Sequence, residues 1–414
     1  MKPIRFALLF TLAVAGAAFA GITVPSGNWD GSLVITEDTV IDLGLATDGA
    51  WDSGISSGEG IYDADQWAVV FHYNSVSIAD GATLTFANHP KNPPVVWIVQ
   101  NEAVIEGTVA LDGFDGSASE INHVAGGPGG FRGGRRANGS LPASAGFGPG
   151  GADTNNLGGG GFGAGYGTHG ENATYGGVIY GTIENIPLIG GSGGSGARSG
   201  GSTTSGGGGG GGALLIAAAD SIRVDGEIRA QGGGHESALY KGGGGSGGAL
   251  RLVSGWVGGA GWLRTEGGGT SDTGGSGRIR IEGNEVDLDL TPLGEYSIVD
   301  PGAAAQVWPE AGDPAVQITL LNGVAVPADP LSQIIYPMQD VDLDGAEDLV
   351  VELQGENIAD GDVVKVFVTR KDGLREYADA GFVSDDGGGL STWTCTFSGI
   401  GNGMRAIQAR VIVE

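Results

Sequence analysis

Seven consecutive glycines, residues 206–212, run without a spacer into the apolar stretch 213–218. This junction restricts the fold more than any other feature. Glycine costs a helix about 1 kcal/mol per residue relative to alanine, so no helix spans it. Beyond the junction the apolar residues alternate. The chain breaks at Ala219-Asp220, resumes over 221–224, turns at Asp225-Gly226 and continues over 227–230 before glycine returns at Gly232. Glycine run, strand, turn and strand together read as one coil of a stacked β structure.

The same grammar recurs. Residues 94–113 align with 213–232 without a gap, which places Gly107 on Gly226, Asn101 on Asp220, Ile105 on Val224 and Val109 on Ile228. Residues 249–267 form a third copy, one residue shorter, with Gly261 on Gly226 and Leu263 on Ile228. Residues 278–282 start a fourth, and 67–86 are a looser early copy with Asn74 in the place of Asn101. Units this small bury a core only by stacking. Period 2 directs Val95, Trp97, Leu214, Ile216, Leu250, Leu252, Ile279 and Ile281 inward, with Val109, Ile228 and Leu263 from the second strand. Val96, Leu215, Arg251, Arg280, Arg229 and Arg264 then face outward.

The predicted architecture is all-β: a right-handed parallel β-helix over 21–312, with a glycine-rich insertion at 114–212, followed by an immunoglobulin-like β-sandwich over 313–414. Glycine thins after 312, and alternating stretches appear at 316–321, 348–353, 363–370, 392–398 and 405–413. The only cysteine, Cys395, falls in one of them and is expected to be buried. Two readings of the insertion compete. Glycine entropy favours a disordered flap. An ordered stack of extended segments, three residues per turn, lets bare backbones approach and bond one another. The apolar residues of 175–189, suited to docking, favour order. Shorter glycine-rich loops at 233–248 and 268–277 leave the same corner. Coils lie ~4.8 Å apart, so all three are expected to form one side wall.

Lys2 and Arg5, an apolar run over 6–17 and Ala18-Phe19-Ala20 read as a secretory signal over 1–20. That run is too short for a ~20-residue membrane span, and no later stretch reads as transmembrane. The chain is therefore expected to be exported, extracellular or attached to the cell surface. Its net charge of −28 repels nucleic acid and favours solubility.

The succession of 179–196, 206–233, 242–255 and 274–283 resembles a group of exported glycine-rich parallel β-helix proteins of bacteria. The likeness covers about 67–283. It implies the fold and the exported address, and supplies no catalytic residues.

Four sets of residues are candidates for function. Stacking places Arg251 beside Arg280 and Arg229 beside Arg264, and such pairs collect an anionic ligand. The plainer alternative is neutralisation by Glu227, Glu266 and Glu282. Rings on the glycine wall, among them Tyr166, Tyr175 and Tyr240, suit polysaccharide or protein contact. Equally, they pin the glycine segments down. Asp340, Asp342, Asp344 and Asp348 alternate as in the first half of a calcium loop, but Val351 stands where an EF-hand needs an acid. A calcium-binding turn and a plain acidic hairpin remain. Finally, β-helices host polysaccharide lyases and glycosidases, yet no paired-carboxylate cluster stands out. The best catalytic case is Arg251 or Arg280 as base with calcium.

The expected function is a non-catalytic surface or matrix protein that contacts an extracellular polysaccharide or cell-surface component. A polysaccharide-degrading enzyme and a self-assembling structural unit are the alternatives.

Overall fold

The computed structural model describes residues 21–413 except 28–29, 55–57, 120–121, 140, 155–158, 173, 199–203, 237, 288, 303–304, 310–311, 328–340, 342, 344–347, 360, 371–373 and 402–404. The expected signal, 1–20, lies outside the described residues. The chain is all-β. Among the described residues the one helical element is a 3-10 turn, Leu43–Leu45, and no helix is long and apolar enough to cross a membrane.

Two sheets carry the repeats. A six-stranded sheet of Thr39–Asp42, Thr83–Ala87, Thr108–Ala110, Glu227–Arg229, Trp262–Arg264 and Thr291–Leu293 is parallel in every pair. An eleven-stranded sheet is parallel except where Ile61–Asp63 runs against Ala68–Tyr73, so it is mixed. The register follows the repeat alignment. Leu214 lies opposite Val95 and Leu250, Leu250 opposite Ile279, and Ile228 opposite Val109 and Leu263.

The inward ladders close on one core around Trp97, which is 0% exposed. Each such side chain contributes about 1.5–3 kcal/mol by leaving water. The expected break at Ala219-Asp220 is instead a register shift inside one continuous strand, Ala213–Val224. Backbone bonding continues through that corner. The Asp220 N–H donates to the Asn101 carbonyl at 3.0 Å, and Asn101 Nδ2 donates to the Asn74 carbonyl at 2.9 Å.

Val96 and Leu215, expected to face outward, are buried in a second apolar cluster beneath Val178, Tyr180 and Leu188. A strand apolar on both faces needs two covers, and the stretch 175–189 supplies the outer one.

The described parts of the glycine-rich insertion are ordered, and their hydrogen bonds have a period of three. The N–H groups of Gly206, Gly209 and Gly212 donate to Ser117, Phe114 and Leu111. Those of Gly207 and Gly210 donate to Gly134 and Phe131, and those of Gly208 and Gly211 to Gly243 and Ser246. Seven successive donors thus serve three neighbouring segments in rotation, as a three-residue-per-turn helix requires. Carbonyls of the same run accept from Gly194, Gly191, Gly233 and Gly127. None of these seven glycines has a positive φ. Their need for glycine is spatial: a Cβ on Gly207 would fall on the Gly194 carbonyl. The loops 233–248 and 268–277 join the same array, which makes the single wall.

The wall is made of out-and-back excursions. At its base, Gly129 turns at φ +81° against Pro94, and Asn92 Nδ2 donates to the Gly127 carbonyl at 3.0 Å. At its distal edge, isolated bridges join Gly116 to His235 and Thr204 to Tyr240, and Thr204 Oγ1 donates to the Ala137 carbonyl.

From 315 onward two antiparallel sheets share one apolar cluster that includes Val351, Leu353, Val364, Val366, Val368 and Phe397. Among the described residues one sheet has five strands, Ala315–Leu321, Val324–Ala325, Leu349–Glu356, Gly381–Asp385 and Leu390–Phe397. The other has three, Val363–Arg370, Arg375–Asp379 and Arg405–Ile412. Cys395 is buried, which pushes its thiol up to about 11.

Candidate functional site

The arginine pairs stand where stacking places them, Arg251 opposite Arg280 and Arg229 opposite Arg264. They are neutralised there. Glu282 Oε1 receives Arg251 Nε at 2.8 Å and Arg280 Nε at 3.2 Å. Arg251 is only 2% exposed, because the chain crosses over it and the Gln306 carbonyl accepts its Nη2 at 2.7 Å. Arg251 thus leaves the core face as expected, but residues 305–308 cover it, so it is not open to a ligand at the surface. Arg280 keeps 14% side-chain exposure. Arg229 pairs with Asp112 at 2.6 Å, and Arg264 with Glu266 at 2.9 Å and Glu227 at 3.4 Å. Burial raises the Asp112 carboxyl above its ordinary value, against the opposing pull of the Gln231 N–H and Arg229.

Tyr166 is 0% exposed and donates its hydroxyl to the Ile189 carbonyl, and Tyr180 does the same to Gly190. These rings pin glycine segments to the sheet rather than meet a ligand. Tyr175 is half-buried, stacked on Phe162 at 4.8 Å. Tyr240 alone of the three candidate tyrosines is exposed, at 38%, on the distal edge. Leu141 and Leu239 are exposed on the same edge.

Of the calcium candidates, Asp340, Asp342 and Asp344 lie outside the described residues. Asp348 Oδ1 accepts the Gly399 N–H at 3.0 Å. Among the described residues no group of three metal-ligating side chains converges.

The sequence reading missed the outer face of the three-stranded sheet. Val364, Val366 and Val368 point into the cluster, so Lys365, Phe367 and Thr369 point away from it. On one side they meet Asp379, Tyr377 and Arg375, and on the other Arg410, Gln408 and Ala406. Arg375 stacks over Phe367 at 4.2 Å and donates to Gln408 Oε1 at 3.0 Å. Lys365 lies over Tyr377 at 4.8 Å and 3.5 Å from Asp379. Arg410 reaches Glu184 of the glycine-rich region at 3.4 Å. Burial, then the charges of Arg410 and Arg278, hold the Arg375 guanidinium below its ordinary value. Alternation within 363–370 was the available signal. The flanking strand 375–379 was not recognised, so its partners were not either.

An open concavity of about 500 Å³ lies at the other sheet, lined by Asn357, Asp362, Phe382, Asp385, Ser391 and Trp393 among others. Phe382 meets Trp393 edge-on at 5.5 Å.

Compared with known protein families, with curated proteins and with solved structures, the chain matches none.

Proposed function

We propose that the chain is an exported, non-catalytic surface or matrix protein. In this reading the repeats form a right-handed parallel β-helix and the C-terminal sheets an immunoglobulin-like module. The glycine wall presents its distal edge for adhesion. One observation carries the reading: a backbone-bonded array without side-chain freedom ends in exposed Leu141, Leu239 and Tyr240. A rigid platform spares the ordering cost that a flexible loop meets on binding. The signal at 1–20 supplies export.

The test incubates the purified chain with calcium and a panel of neutral and acidic polysaccharides. New reducing ends and unsaturated products are assayed, together with retention on immobilised polymers and on cells. The expected result is retention without product. Leu239→Ser with Tyr240→Ser should weaken retention on cells without lowering the melting temperature. Product release that disappears in Arg280→Ala would overturn the reading in favour of a polysaccharide-degrading enzyme.

A second reading, self-assembly, is favoured by the last coil. Among the described residues, Glu295–Val299 pairs on one side only, with Arg278–Val286. Tyr296 and Ile298 stand in register with core residues Ile279 and Ile281, yet are 58% and 43% exposed. Concentration-dependent sedimentation that Tyr296→Lys abolishes would establish it.

A further inference from the structure

We propose that the outer face of the three-stranded sheet binds a polysaccharide that carries carboxylates, a uronate polymer. This goes beyond the adhesive reading, because it assigns a ligand class to a face other than the wall's distal edge.

The charge balance is the first argument. Lys365, Arg375 and Arg410 share this face, and Arg278 adds a fourth positive charge, against Asp379 and Glu184. A local excess of cations stands out in a chain of net charge −28. Among the described residues no carboxylate forms an ion pair with Arg375 or Arg278. Arg375 is bonded to an amide, and Arg278 to the Tyr180 carbonyl at 2.9 Å. Arg410 Nε is buried without a hydrogen-bond partner. Like charges crowded on one face destabilise it unless an anion joins them, and a guanidinium fork matches a carboxylate with two parallel hydrogen bonds.

Preorganisation is the second argument. Phe367 and Tyr377 hold Arg375 and Lys365 over their rings, so the cations lose little freedom when a ligand arrives. Lys365 and Arg410 stand at one end of the face; from the other end, where Thr369 and Ala406 are buried, Arg375 brings its guanidinium to the middle, over Phe367 and onto Gln408, beside Tyr377. A polymer that repeats a carboxylate meets Arg375 at mid-face and Lys365 with Arg410 next to it. Its ring carbons lie on Tyr377, which is 64% exposed, and its hydroxyls reach the Gln408 amide. A nucleic acid, with its denser charge, is opposed by the acidity of the whole molecule.

Affinity electrophoresis of the purified full chain tests this, in gels containing polygalacturonate, dextran sulfate or neutral dextran. Polygalacturonate should retard the chain, less so as salt rises, and dextran should not. Arg375→Gln with Arg410→Gln should weaken retardation about tenfold or more with an unchanged melting temperature. Tyr377→Ser, at an exposed ring, should weaken it several-fold, and Arg136→Gln on the wall should not change it. The proposal is overturned by equal retardation of the double variant and the parent. Retardation by dextran sulfate but not polygalacturonate, or equal retention of single-stranded DNA, overturns it as well. Product release and cell retention test the adhesive reading separately, so the two fail independently.

Discussion

At Gly243 an added Cβ would fall on the Phe162 carbonyl, whereas at Gly206 it would stand 3.1 Å from the Gly134 carbonyl. The first overlap is with backbone bonded on several sides, and the second is relieved by a shift of a few tenths of an ångström. Gly243→Ala should therefore cost about 1–3 kcal/mol or more, and Gly206→Ala less than about 1 kcal/mol, as read by chemical denaturation. Tyr166→Phe keeps the buried ring and removes one hydrogen bond, for a loss of about 1 kcal/mol. Histidines set the pH response near neutrality. Burial lowers the pKa of His72, His89 and His123 below 6.5. Below that value the unfolded chain takes up protons that the native one refuses, so stability falls as pH drops from 7.5 to 5.5. The raised carboxyls of Asp112 and Asp272 act in the opposite sense, from their ordinary value of 3.8 upward. Urea midpoints at the two pH values measure the net effect, and His123→Gln should reduce the difference.

Between strands, the clearest dependence is that of Glu282 on its two arginines. Removing Arg251 strips a buried charge of its closest partner, and Arg251→Ala should cost about 3–5 kcal/mol. The exposed pair Arg223–Asp225, with 57% of the arginine side chain in water, should cost under about 1 kcal/mol when broken. The strand ladders were legible because a period of two repeats the same side-chain types at the same offset. Leu214, Leu250 and Ile279 therefore stack as aligned. What covers a strand was less legible. Leu215 and Arg251 alternate with core positions exactly as solvent-facing residues do, and only the paths of 175–189 and 305–308 over them decide their burial. The cationic sheet face shows the same limit. Lys365 and Phe367 alternate visibly, but Arg375, Gln408 and Arg410 join them through pairings between distant segments.

For the molecule as a whole, the glycine wall is as firmly bonded as the sheets it extends. Hydrogen exchange followed by mass spectrometry should show the amides of 206–212 exchanging as slowly as those of 213–218. Exchange within seconds would contradict the array. The three-residue period has a further consequence, for length. Inserting one residue after Gly209 would rotate every later N–H by about 120°, sending the Gly210 and Gly211 donors to the wrong neighbours. Inserting three would restore their phase. Within the wall, viable insertions and deletions come in multiples of three. Between Asn138 and Leu141, which an isolated bridge joins, a loop should lengthen by any number of residues and leave the wall's phase untouched.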